Sequence, residues 1–147
     1  MEDKQYISKT DLARNTHQVI REAQRGYTVV VESHGKAEVA IVDILDFQIQ
    51  RAAIQYLAEP QKFSQDIDIT KPMLDALLDD QARCDHVIGH YLAVHLSLAR
   101  AGELLNMSAA ELQMRLTRAG VRLPLGPASV EELKADTETI KRFDKKG

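Results

Sequence analysis

The chain opens on a short apolar run, Gln5-Tyr6-Ile7, that stops at Ser8, and Ser8-Lys9-Thr10-Asp11 has the spacing of a capping box that starts a helix near Lys9. Leu12, Thr16, Val19, Ile20 and Ala23 then recur at helical spacing, and Gly26 stands where a C-cap glycine belongs. The spacing therefore predicts one helix running to about Arg25. On such a helix Arg14, Gln18, Arg21 and Arg25 fall at i, i+4, i+7 and i+11, which puts three guanidiniums on one stripe away from the apolar face. Two β-branched runs, 27–32 and 37–42, flank Ser33-His34-Gly35-Lys36, a hairpin signal in which Gly35 supplies a positive φ. Asp43 caps a further helix carrying Leu45, Ile49, Ala52, Ala53 and Tyr56, so the order over residues 1–57 is β-α-β-β-α.

Residues 58–71 contain Pro60, few large apolar groups and no period, and they read as an acidic linker. Thr70 and Pro72 start a helix whose stripe, Met73, Leu74, Leu77, Leu78, Val87, Ile88, Tyr91 and Leu92, extends to about His95. Residues 98–119 read as helix, tight turn, helix. Asn106 tolerates the left-handed turn, Ser108 with Glu111 forms a capping box, and Leu105, Met107, Leu112 and Leu116 lock the pair. Ser129 with Glu132 opens a final helix, and residues 141–147 are a charged tail. The expected fold class is α+β, with an N-terminal β-α-β-β-α dimerisation domain (1–57), a linker (58–71) and an all-α helix-turn-helix domain (72–147).

Composition narrows the classes of function. The 147 residues are 44% hydrophobic and 28% charged, which suits one folded domain or two small ones. No apolar run approaches the ~18 residues of a membrane span, and Met1-Glu2-Asp3-Lys4-Gln5 lacks the order of a signal peptide. The expectation is a cytoplasmic protein with no membrane contact. The single Cys84 cannot form an internal disulfide, and the absence of Trp makes the core aliphatic. The net charge of -3 hides a gradient: -1 over residues 1–57, -4 over 58–90 and +2 over 91–147. Nucleic-acid binding must therefore come from a focused patch rather than bulk charge. A 57-residue β-α-β-β-α unit has a marginal core, so a homodimer is expected.

The segments Ile7-Ser8-Lys9-Thr10-Asp11-Leu12-Ala13-Arg14-Asn15, Val29-Val30-Val31-Glu32-Ser33-His34-Gly35-Lys36 and Val39-Ala40-Ile41-Val42 resemble the Phd/YefM (prevent-host-death) antitoxin family. The resemblance covers roughly residues 4–57 and is most specific at Ala13-Arg14-Asn15 and Gly35-Lys36. It implies a dimeric N-terminal domain that binds operator DNA and represses its own toxin-antitoxin operon, with Ser8, Lys9, Thr10, Arg14, Asn15, Ser33 and Lys36 as the DNA-binding set. Ser33 stands where the family often has Arg, and Thr16 where an apolar residue is usual. The residues themselves offer a helix N-terminus for phosphate at Ser8 to Asp11, with Lys9, Arg14 and Lys36 adding charge. The same pattern equally suits a solvated helix face. Residues 98–140, with Ala119-Gly120-Val121-Arg122-Leu123 and Glu131-Glu132-Leu133, resemble an uncharacterised family of small prokaryotic helix-turn-helix proteins often regarded as antitoxins. In its second helix Ala110, Gln113, Arg115 and Arg118 are the exposed candidates for base contact, with Arg122 at the DNA backbone. The alternative is an αα-hairpin that packs as a small core or meets a toxin.

In the Phd/YefM family the stretch after the DNA-binding domain wraps the toxin, which implies Phe63, Ile67, Ile69, Leu74 and Leu77 as toxin anchors in a loosely structured acidic connector. The alternative is a linker plus a core helix. His86 and His90 have the i, i+4 spacing that chelates zinc, with Cys84, Asp85 and His95 nearby. Yet no Glu follows His86, and on a continuous helix His95 lies about 180° around from it, so no metal site is expected. No nucleophile-base order and no phosphate loop points to catalysis, and no cofactor is expected. The expected function is that of a type II antitoxin that neutralises a cognate toxin by direct binding and represses its own operon. The alternatives are a transcriptional regulator without a toxin partner, and a metal-dependent enzyme built on His86, His90 and His95.

Overall fold

The computed structural model describes residues 4–124. The expected final helix at Ser129 and the charged tail lie outside them. The protein is α+β, with a three-stranded sheet and seven α-helices among the described residues, and it divides into two compact units, Met1–Gln48 and Ile49–Gly147. No helix among the described residues is long and apolar enough to cross a membrane.

In the first unit, β1 (Lys4–Ser8) pairs parallel with β2 (Thr28–Ser33), in register from Lys4 opposite Thr28 to Ser8 opposite Glu32. A parallel pair needs a crossover, and α1 (Lys9–Arg14) and α2 (Thr16–Gln24) supply it. The single helix expected over residues 9–25 is thus two. Asn15 leaves helical geometry (φ -125, ψ 36), and the Thr16 hydroxyl donates to the Leu12 carbonyl at 2.9 Å, so short polar side chains compete with the backbone ladder where the helix breaks. Arg14 consequently sits on α1, while Arg21 lies on α2 and Arg25 at its C-cap, so the three guanidiniums do not share one continuous helix. Gly26 (φ 104) ends α2: its N–H and that of Tyr27 donate to Ala23 and Glu22. β2 then pairs antiparallel with β3 (Lys36–Ile41) through the two-residue turn His34-Gly35, both at positive φ, as the hairpin signal predicts.

Only Val19, Ala23, Val29 and Val31 are buried among the described residues of this unit. Tyr6, Ile20, Val39, Val42, Ile44 and Phe47 are exposed, and β3 is exposed along nearly its whole length. More large apolar side chains face outward than inward.

Asp43 caps α3 (Ile44–Ala58) by accepting from the Leu45 N–H at 3.0 Å. Ile49, Ala52 and Ala53 of α3 belong to the core of the second unit, with Ile69, Leu74, Val87, Ile88, Tyr91, Leu112 and Leu116. The expected linker is part of this unit: Pro60–Phe63 forms a 3-10 turn, and both Phe63 and Ile69 are buried. The helix expected from Pro72 to His95 is also broken. α4 (Lys71–Asp75) is capped by Thr70, and α5 (Asp80–Leu92) starts afresh because the Asp79 carboxylate accepts from the Gln81 N–H. Asp79 and Asp80 favour a helix N-terminus over a helix interior through both capping and the dipole. α6 (Leu98–Leu104) and α7 (Ala109–Arg118) follow.

Four helices end in one hydrogen-bonding pattern, with Gly26, Val94, Asn106 and Gly120 at the left-handed position. Glycine and asparagine enter that conformation readily; Val94 (φ 68) does so against its branched Cβ, at roughly 1–2 kcal/mol. Close packing elsewhere is equally specific. A Cβ on Gly89 would stand 2.0 Å from the Phe63 ring.

These features give opposite expectations for stability. Gly89→Ala should cost about 1–3 kcal/mol by forcing Phe63 out of place, and Val94→Gly should gain up to about 1 kcal/mol by relieving the turn. Urea unfolding of the two variants beside the parent checks both; a neutral Gly89→Ala would mean that Phe63 does not hold its place against α5.

Candidate nucleic-acid interface

Ser8 ends β1 and caps α1, its hydroxyl accepting from the Asp11 N–H at 3.1 Å. Because β1 and β2 run parallel with Ser8 opposite Glu32, the register brings Ser8, Lys9 and Thr10 to the same end of the sheet as Ser33 and Lys36. That end is not purely basic. Lys9 reaches across to Glu38 on β3 at 2.8 Å, with both side chains open to solvent, a pair worth little in stability but one that holds the ammonium. Arg14 and Asn15 lie at the corner between α1 and α2, about 9 Å along α1 from its start. Arg14, Arg21 and Lys36 are exposed and make no ion pair among the described residues, whereas Arg25 is paired with Glu22 at 3.5 Å.

In the second unit α6 and α7 pack closely. Asn106 adopts φ 61, and the Met107 N–H donates to the Gly102 carbonyl at 2.9 Å. The Ser108 hydroxyl accepts from the Glu111 N–H, and Leu112 and Leu116 are fully buried. A Cβ on Gly102 would meet the Met107 carbonyl oxygen at 2.8 Å, so the turn leaves no room for a larger residue. On the outer face Ala110, Gln113 and Arg122 are exposed. Arg115 is not: its side chain is 11% exposed and paired with Glu111 at 3.1 Å, and Arg118 is half-buried. Arg115, expected among the base-reading candidates, is engaged on α7 itself, because i, i+4 pairing lays its guanidinium along its own helix.

The expected toxin anchors divide. Phe63, Ile69 and Leu74 are buried in the core, and Leu77 packs partly against it; only Ile67 is exposed. Phe63, Ile69 and Leu74 thus pack within their own unit, whereas residues 64–68 between them are exposed and form neither helix nor strand. The apolar side chains that the acidic stretch does expose are Ile67, Met73 and Leu78, the last 95% exposed beside Asp79 and Asp80.

The histidines differ most from expectation. α5 stops at Leu92, Val94 turns the chain, and the His95 N–H donates to the His90 carbonyl at 2.9 Å. His95 thus folds back onto His90, with their Nδ1 atoms 3.1 Å apart, rather than lying across a continuous helix. The His86 ring meets His90 edge-on at 5.0 Å. Burial and the two neighbouring imidazoles hold His90 below the ordinary histidine range, against the opposite pull of Asp66. No group of three or more His, Cys, Asp or Glu among the described residues has the geometry to hold a metal ion. The Cys84 thiol is pushed up to about 12 by burial and by Asp85, which leaves it unreactive.

The two faces of α7 separate by mutation. Arg115→Ala should cost about 0.5–1 kcal/mol of stability through the lost pair, and Gln113→Ala less than about 0.5 kcal/mol, as for an ordinary surface site. Thermal unfolding compares them, and equal effects would remove the distinction between a structural Arg115 and an outward-facing Gln113. Neither a known protein family, nor a curated protein, nor a solved structure matches the chain, so its functional reading rests on its own residues.

Proposed function

We propose that the chain is an antitoxin of the Phd/YefM type, which binds operator DNA as a homodimer, represses its own operon and neutralises a cognate toxin by direct binding. The observation that carries the DNA-binding part is the exposure of Arg14, inside the Ala13-Arg14-Asn15 element, without an ion-pair partner among the described residues. An unpaired guanidinium at a helix corner suits bidentate contact with a phosphate or a guanine edge. Lys36 and the α1 N-terminus supply backbone contacts that fix register. Dimerisation is supported by the thin core of the first unit, where Tyr6, Ile20, Val39, Val42, Ile44 and Phe47 offer apolar surface to a second copy.

For the toxin, the exposed set Ile67, Met73 and Leu78 replaces the buried anchors. Apolar side chains among Asp66, Asp68, Asp75, Asp79 and Asp80 suit a basic partner, with the carboxylates steering association. The burial of Phe63, Ile69 and Leu74 favours a second reading, a transcriptional regulator with no toxin. Coexpression with the product of the adjacent gene separates the two, because only an antitoxin rescues growth.

Arg14→Ala should weaken promoter binding by about 1–3 kcal/mol if the guanidinium reads a base, with the fold intact. Glu38→Gln should strengthen binding by releasing Lys9. Gel-shift titrations at fixed salt read both, and an unchanged affinity in a folded Arg14→Ala dimer removes the central support. For the toxin, the double variant Ile67→Ser, Leu78→Ser should abolish rescue while leaving the melting temperature near the parent value, as expected for exposed side chains. Full rescue by that variant would move the toxin site elsewhere.

A further inference from the structure

We propose that His86, His90 and His95 form an acid-sensitive latch: it holds the turn after α5 and the Pro60–Phe63 turn against α5 at neutral pH, and releases them when the cluster takes up more than one proton. His90 is 2% exposed and is the buried polar side chain of the described core. Its Nδ1 faces the Nδ1 of His95 at 3.1 Å. One of these nitrogens must carry a hydrogen and the other a lone pair, so the contact survives in a neutral pair of complementary tautomers or with one ring cationic. With both rings cationic, both nitrogens are donors and the contact becomes repulsive.

The surroundings sharpen that limit. The titratable and charged groups that face His90 are His86 on its own helix, His95 on the following turn and Asp66 on the segment after Phe63. Asp66 offsets one positive charge; among these groups no second carboxylate offsets another. An aromatic contact lies beside them, with the Phe63 ring 5.3 Å from His90 and edge-on to it, and Tyr56 next to Phe63 at 5.9 Å. Phe63 in turn lies against Gly89, the residue before His90. A shift of the His90 ring therefore disturbs the contact that docks Pro60–Phe63. On the other side His95 is held by a turn whose Val94 is left-handed and β-branched, so the turn relaxes once the His90–His95 contact is lost.

The direction with pH follows. Burial and like charge hold His90 below the ordinary histidine value in the closed state, so the opened state binds more protons. The stability supplied by the latch is complete above about pH 6.5, the ordinary histidine value, and is lost as the pH falls through the lowered one. Opening exposes Phe63, an apolar side chain otherwise hidden in the acidic stretch.

The test uses the full chain between pH 8 and pH 5. Histidine ring-proton resonances report titration, and backbone hydrogen exchange at Phe63, Gly89 and His95, corrected for the intrinsic rate, reports opening. The parent should show His90 titrating below the ordinary value, and an opening equilibrium that rises about tenfold per pH unit for each proton taken up. His95→Asn keeps a polar group near the His95 Nδ1 position but cannot become cationic. It should stay closed at pH 8 and lose one proton's worth of acid dependence. His86→Gln removes a facing charge and should move the His90 titration towards the ordinary value; it decides the matter if His95→Asn does not fold. Parent-like acid dependence in the folded variants, or an ordinary titration of His90 in the parent, overturns the latch.

Discussion

The Phe63 ring lies against α5 at Gly89, where no side chain intervenes, and this contact seats the Pro60–Phe63 turn on α5. It fixes a stretch that is otherwise polar, acidic and without period, and it presents the ring to Tyr56 and His90. Aromatic rings packed edge to face add to the area they bury. Once Phe63 is seated, the chain returns through Ile69 to α4, whose Leu74 joins the same core. The segment is thus a part of the core with an acidic exterior, and this changes which side chains can meet a partner.

The two units solve the problem of a core without tryptophan differently. The second stacks mainly aliphatic side chains from α3 to α7 into one buried cluster. The first buries two residues of α2 and two of β2 while a longer series of apolar side chains faces solvent. A sheet with one strand exposed along nearly its whole length is a surface that proteins ordinarily cover. The proposed dimer rests on this imbalance rather than on any residue specific to DNA.

Helix ends carry much of the remaining specificity. Gly26, Asn106 and Gly120 take the left-handed position at little cost, and each places the next element at a defined angle. Val94 takes the same position against its own sterics, and the residue it delivers is His95. Strain at one turn occurs together with a histidine pair at its foot, of which His90 is buried and His95 half-buried.

The sequence by itself determined the local features: the Ser8, Asp43 and Ser108 caps, the Gly26 terminus, the His34-Gly35 turn, the left-handed Asn106 and the positions of the three strands and of α3, α6 and α7. Each depends on interactions within a few residues, so its chemistry is readable from neighbours alone. The breaks at Asn15 and at residues 76–79 were legible only in part, because Thr16 and Asp79 mark competition with the helix without saying which side prevails. Of the DNA-binding set, the exposure of Arg14 and Lys36 agrees with a polar reading, but the engagement of Lys9 by Glu38 and of Arg115 by Glu111 depended on where β3 and the α7 surface lie. The burial of Phe63, Ile69 and Leu74, and the meeting of His90 with His95, were decided by tertiary structure alone. They join residues through a turn at Val94 that no sequence propensity favours, and through a gap at Gly89 that has meaning only when a ring from another segment fills it.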